Sequence, residues 1–144
     1  SMTNLHTLNL RLGKPFNQIG KLTKLRNLSL KYTLNATIDD ISTLTELRNL
    51  EIFNRLSLKP LSNLKFLRRL VVYYPYDHIT DEDIEIISKL SSLKIFKTDL
   101  SKVSDISLKK LKSVNVSQYE RPKRPLFLYT ILLKDLYAED FRLF

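Results

Sequence analysis

The string LTKLRNLSL at residues 22–30 returns almost unchanged as LTELRNLEI at residues 44–52. Two near-copies at a fixed offset mean that the chain repeats, and a repeat period limits the fold more than any other feature here. The common element is L-x-x-L-x-L, with Ile or Val accepted at its end. It is met at Leu5/Leu8/Leu10, Leu25/Leu28/Leu30, Leu47/Leu50/Ile52, Leu67/Leu70/Val72, Leu90/Leu93/Ile95 and Leu111/Val114/Val116. The middle positions, 8, 28, 50, 70, 93 and 114, give a period of about 21 residues. In L-x-L the two apolar side chains fall on one face of a short strand and the middle one on the other. One such strand buries nothing alone. Neighbours stacked about 4.8 Å apart bury their apolar faces as one core and leave the other face of a parallel sheet open.

With six in-phase matches, residues 5–116 resemble the leucine-rich repeat family. The resemblance implies an α/β solenoid with the parallel sheet on the concave face and short helices and turns on the convex face. It also implies a non-catalytic role in binding a partner. The chain departs from the family pattern where an asparagine would follow each strand, since Thr33, Arg55, Pro75 and Thr98 stand there instead.

Three segments follow from this reading. Ser1 and Met2 read as the scar of an expression tag. Residues 3–118 form the solenoid, and residues 119–144 form a basic connector and a C-terminal helical cap. The connector is Arg121-Pro122-Lys123-Arg124-Pro125, where two prolines forbid regular structure. Leu126, Phe127, Leu128, Ile131, Leu132, Leu133 and Leu136 then make residues 126–137 an apolar helix fit to cover the last repeat. No amphipathic segment precedes Leu5, so the chain reads as a fragment of a longer receptor, adaptor or effector.

Between strands, residues 12–21, with Gly13, Pro15 and Gly20, read as a turn-rich return, and residues 33–43 and 55–64 follow suit. Residues 79–90 predict a helix, with Ile79, Ile84, Ile87 and Leu90 on one face, Thr80 as N-cap and Asp83 at the capping-box offset. Residues 104–111 repeat the device. The acids Asp81, Glu82, Asp83 and Glu85 complement the helix dipole, which accounts for them without metal or catalysis.

Catalytic chemistry finds little to work with. The chain has two histidines, His6 and His78, no cysteine and two glycines, and it lacks every common nucleophile, phosphate-loop or metal-ligand spacing. No enzyme activity, cofactor or metal is expected. The missing cysteines favour a reducing, cytoplasmic compartment. No signal peptide is visible and no apolar run approaches the roughly 18 residues of a membrane span. The oligomeric state stays open.

The net charge is +9, and residues 1–38 hold no acid at all. Laid out by repeat, the outward positions gather Tyr32, Phe53, Tyr73, Tyr74 and Phe96 on or beside the open sheet. A second column, His6, Arg26, Arg48, Arg68, Ser91 and Lys112, places three arginines in succession, with Arg69, Lys31, Lys94 and Lys97 nearby. Aromatics on a wet face are not needed for folding and are the residues that carry interface energy. The expected partner is a protein with an acidic patch, held by those five rings and by Arg26, Arg48, Arg68, Arg69 and Lys94. The alternative is single-stranded nucleic acid, which also binds faces that mix cations with rings.

Overall fold

The structure, a computed structural model, describes residues 2–11, 18–31, 39–53, 57–74 and 77–120. Six short strands, β1 (Thr7–Arg11), β2 (Asn27–Lys31), β3 (Asn49–Ile52), β4 (Arg69–Val72), β5 (Ile95–Thr98) and β6 (Asn115–Gln118), lie in chain order in one parallel sheet. Each strand is too short to persist alone, so the stack rests on what each passes to the next.

What is passed on is a fixed set of backbone hydrogen bonds. The N–H groups of Leu22, Leu44, Leu64 and Leu90 donate to the carbonyls of Ile19, Ile41, Leu61 and Ile87, all at 2.9–3.0 Å. Three residues later Leu25, Leu47, Leu67 and Leu93 donate to Leu22, Leu44, Leu64 and Leu90 at 3.0–3.2 Å. These two tight turns bring the chain from the convex side into the strand. The leucines that make them are also the core, with Leu25, Leu44, Leu47 and Leu67 fully buried. Burying one such side chain stabilises by about 1.5–3 kcal/mol, so the repeat is a unit of both geometry and cohesion.

On the convex side the early returns are single 3-10 turns, at Ile19–Lys21, Asp39–Thr43 and Lys59–Asn63. The fourth return is different. Helix α1 (Asp81–Ser88) starts with the capping box that its sequence predicts. Asp83 N–H donates to Thr80 Oγ1 at 3.2 Å, and Thr80 N–H donates back to Asp83 Oδ2 at 2.9 Å. A shorter helix, α2 (Asp105–Leu108), is capped by Ser104, whose Oγ accepts from Ser107 N–H at 3.2 Å. Ser104 also donates to Asp81, and Lys110 pairs with Glu85, which ties the two returns together.

The helix changes the register predicted for the last two repeats. Leu8, Leu28, Leu50 and Leu70 are partners in successive strands, as the pattern requires. The partner of Leu70, however, is Phe96, and the partner of Phe96 is Val116. Leu93, expected in that place, lies just before β5 and matches Leu67, since Lys94 and Ile95 both donate to Arg68 O as Arg68 and Arg69 donate to Arg48 O. A helical return consumes more residues than a 3-10 turn, so the fifth unit is longer than the others and the L-x-x-L-x-L frame at Leu90 is out of phase. Phe96 is consequently core, fully buried, rather than a ring on the open face. Tyr74 is also core, at 4 % exposure, because the chain turns inward after Tyr73. The expected cap helix at 126–137, the bend residues Thr33, Arg55 and Pro75, and Tyr32 lie outside the described residues.

Candidate functional site

The open face of the sheet can be read column by column from the strand register. The first outward column, Thr7, Asn27, Asn49, Arg69, Ile95 and Asn115, begins with a side-chain ladder. Asn27 Nδ2 donates to Thr7 Oγ1 at 3.1 Å, and Asn49 Nδ2 donates to Asn27 Oδ1 at 2.6 Å. The next outward column is Asn9, Ser29, Glu51, Val71, Lys97 and Ser117. Here Glu51 accepts from two sides, from Ser29 Oγ at 3.1 Å and from Arg69 Nη1 at 3.0 Å. Arg69, expected to meet a partner's acid, therefore already has one within its own sheet. Lys97 rather than Lys94 is the cation of this column, a result of the register shift.

At the edge where the strands end stand Arg11, Lys31, Phe53, Tyr73, Asp99 and Tyr119. Phe53 N–H donates to Leu30 O, Tyr73 N–H to Ile52 O and Tyr119 N–H to Thr98 O, which fixes three of these places. Phe53 and Tyr73 keep the outward positions their repeats assign to them and are half-buried. They do not gather with Phe96 but with Tyr119. The Tyr119 ring is 4.8 Å from that of Tyr73 and meets the ring of Phe53 edge-on at 5.7 Å. Lys31 lies over the outer face of Phe53, its Nζ 4.9 Å from the centroid. Tyr119 was absent from the expected rings; shifting the last repeat by two residues would have found it in the column of Tyr73.

Between Tyr73 and Tyr119 the column holds the short side chain of Asp99. It accepts from Ser101 N–H at 3.0 Å and from Gln118 Nε2 at 3.3 Å, while Gln118 Oε1 accepts from Leu100 N–H at 2.9 Å. The Ser101 hydrogen bonds, and behind them that of Gln118, hold the Asp99 carboxyl below its ordinary 3.8. Phe53 and Tyr119, with Glu51, Arg69, Lys97 and Glu120, border an open concavity of about 520 Å³ with Val71, 2 % exposed, at its floor. An apolar floor, aromatic wall and convergent charged groups suit a protruding side chain of a partner.

The basic column lies elsewhere. The bonding pattern puts His6, Arg26, Arg48, Arg68 and Lys94 at equivalent places just before the strands. Lys94 thus takes the place expected for Ser91. All five side chains are exposed. Arg48 and Phe53 are five residues apart along an extended chain, roughly 17 Å, so this row and the ring cluster occupy opposite edges of the sheet, and the cations beside the rings are Lys31 and Lys97. Among the described residues no group of three or more His, Asp or Glu side chains could hold a metal ion, and no helix is long and apolar enough to cross a membrane.

No protein-family model matches this chain, and no curated protein does. Among solved structures it is similar to internalin C2 of Listeria monocytogenes, with a TM-score of 0.63 at 23 % identity over 81 % of this chain and 53 % of that one. A second internalin of the same species, inlF, overlays with a TM-score of 0.47 at 19 % identity, covering 71 % of this chain and 38 % of the other. The chain thus spans about half the length of the internalin C2 chain it matches. Six parallel strands in chain order, a recurring set of turn hydrogen bonds and this likeness make the chain a leucine-rich-repeat solenoid.

Proposed function

We propose that the chain is a non-catalytic recognition module, part of a larger receptor, adaptor or effector, that binds a protein partner on the open face of its sheet. The observation that carries this reading is the cluster of Phe53, Tyr73 and Tyr119 beside Lys31 and Lys97, over the buried Val71. Rings held against one another lose little freedom when a partner arrives, which is what an interface anchor needs. The surrounding cations favour a partner that is acidic near its anchor. Single-stranded nucleic acid is the weaker reading, because stacking needs rings along a run of phosphate contacts and the long row of cations, Arg26 to Lys94, lies at the edge opposite the rings.

A capture experiment with three immobilised forms tests it: wild type, Phe53→Ala/Tyr73→Ala, and a control altered away from the rings at Lys24→Ala. A partner retained by wild type and control but lost with the double variant supports the concave site. Recovery of the same partners by all three forms overturns it.

A further inference from the structure

The edge of the sheet where strands begin carries a feature that ring-centred binding does not use. His6, Arg26, Arg48 and Arg68 each accept at their carbonyl from two consecutive N–H groups of the next repeat, and Lys94 accepts from Asn115, so the five residues are locked one strand apart. At about 4.8 Å per step the row is roughly 19 Å long. Every side chain in it is exposed, and none has an ion-pair partner among the described residues. Like charges at this spacing repel, so the row costs the fold something that a bound anion would offset. Two residues before Arg68, on the same edge, Phe66 is 61 % exposed, in a place where the preceding repeats have Glu46 and Lys24.

We infer that this edge is a second docking site, and that its occupant is an extended acidic segment of a partner protein running across the strands. The row fits about six residues of extended chain at roughly 3.3 Å each. Arginine forks match carboxylates two bonds at a time. Phe66 offers an apolar contact for one side chain of the segment, which a phosphate backbone would not use. One ring, Phe66, beside five successive residues of the row is too few for a run of stacked bases at this edge. The inference rests on the reading that the sheet serves protein recognition, but it involves different residues.

Fluorescence anisotropy on the full chain separates the two sites. The probes are a labelled peptide of five glutamates around one phenylalanine, its glutamine counterpart, and a thymidine oligonucleotide. The acidic peptide is expected to bind with an affinity that falls as salt rises, and the glutamine peptide to bind at least tenfold more weakly. Arg26→Glu/Arg48→Glu/Arg68→Glu should weaken the acidic peptide by more than tenfold, a larger loss than Phe53→Ala/Tyr73→Ala gives. Arg48→Gln/Arg68→Gln, milder for folding, should give an intermediate loss. Unchanged binding in both arginine variants overturns the inference. So does loss confined to the Phe53/Tyr73 variant, which would instead place the acidic segment on the rings. Tighter binding of the oligonucleotide than of the acidic peptide, lost with the same arginines, would assign the edge to nucleic acid and overturn the occupant proposed here.

Discussion

Phe96 lies directly beside Leu70 in the sheet and takes the core position that a leucine holds in the four preceding strands. Its ring is fully buried, among the largest side chains in the core.

Phe96→Ala should therefore act on folding. A cavity left by a buried phenylalanine costs about 3–5 kcal/mol, a large part of the stability of a small domain. Urea unfolding should show a large drop in the midpoint. A variant as stable as wild type that had lost only binding would put the ring back on the surface.

Removing the cap of α1 should cost less. In Thr80→Ala the Asp83 N–H loses its acceptor at the helix start, a loss of about 0.5–2 kcal/mol. Thermal unfolding followed by circular dichroism measures it, and Thr80→Ser should recover most of the difference.

Glu51→Gln leaves Arg69 without its ion pair and alters the acceptor of the buried Ser29 hydroxyl. Both partners of the pair are partly exposed, so the stability change should stay below about 1 kcal/mol. The larger effect should be kinetic. With one acid fewer on the open face, an acidic partner should associate faster at low salt, and the gain should fade as salt screens it. Stopped-flow association rates at two ionic strengths read this directly.

Among the described residues, three carboxylates are held below their ordinary values. Hydrogen bonds from Ser107 and Ser104 hold Asp81 below its ordinary 3.8, the bond and charge of Lys110 hold Glu85 below 4.5, and Ser101 does the same for Asp99. A carboxylate with a depressed folded value contributes stability that is complete above its ordinary value and is lost as pH falls through the lower one. The contribution of these groups should accordingly be flat from neutral pH to about pH 5 and decline below about pH 4. Carbon-detected titration of the side chains should place all three midpoints below the ordinary values. Ser104→Ala should move that of Asp81 upward.

The repeat and the capping were legible because each is a local rule: a leucine at a fixed spacing, a threonine three residues before an acid. The identity of the outward residues was not, from the fifth repeat onward. Leu90, Leu93 and Ile95 satisfy the repeat frame better than Leu93, Phe96 and Thr98 do, and only the residues consumed by α1 shift the strand to the second set. The same ambiguity hid Tyr119 and promoted Phe96. Tyr74 was misplaced for a different reason, since where the chain leaves a strand and turns inward depends on the packing of the next return. The arginine row was visible as spacing, but its separation from the rings needed the strand direction.

The ring cluster spans the fifth strand without receiving a ring from it. Tyr119 reaches Tyr73 only because Asp99, small and tethered to Ser101 and Gln118, stands between them. A bulkier side chain there would act as a wedge, splitting one aromatic pad into two halves. The repeat with the least to offer a ligand thus sets the width of the pad, and selection for a different ligand could work on that single short residue while leaving every ring in place.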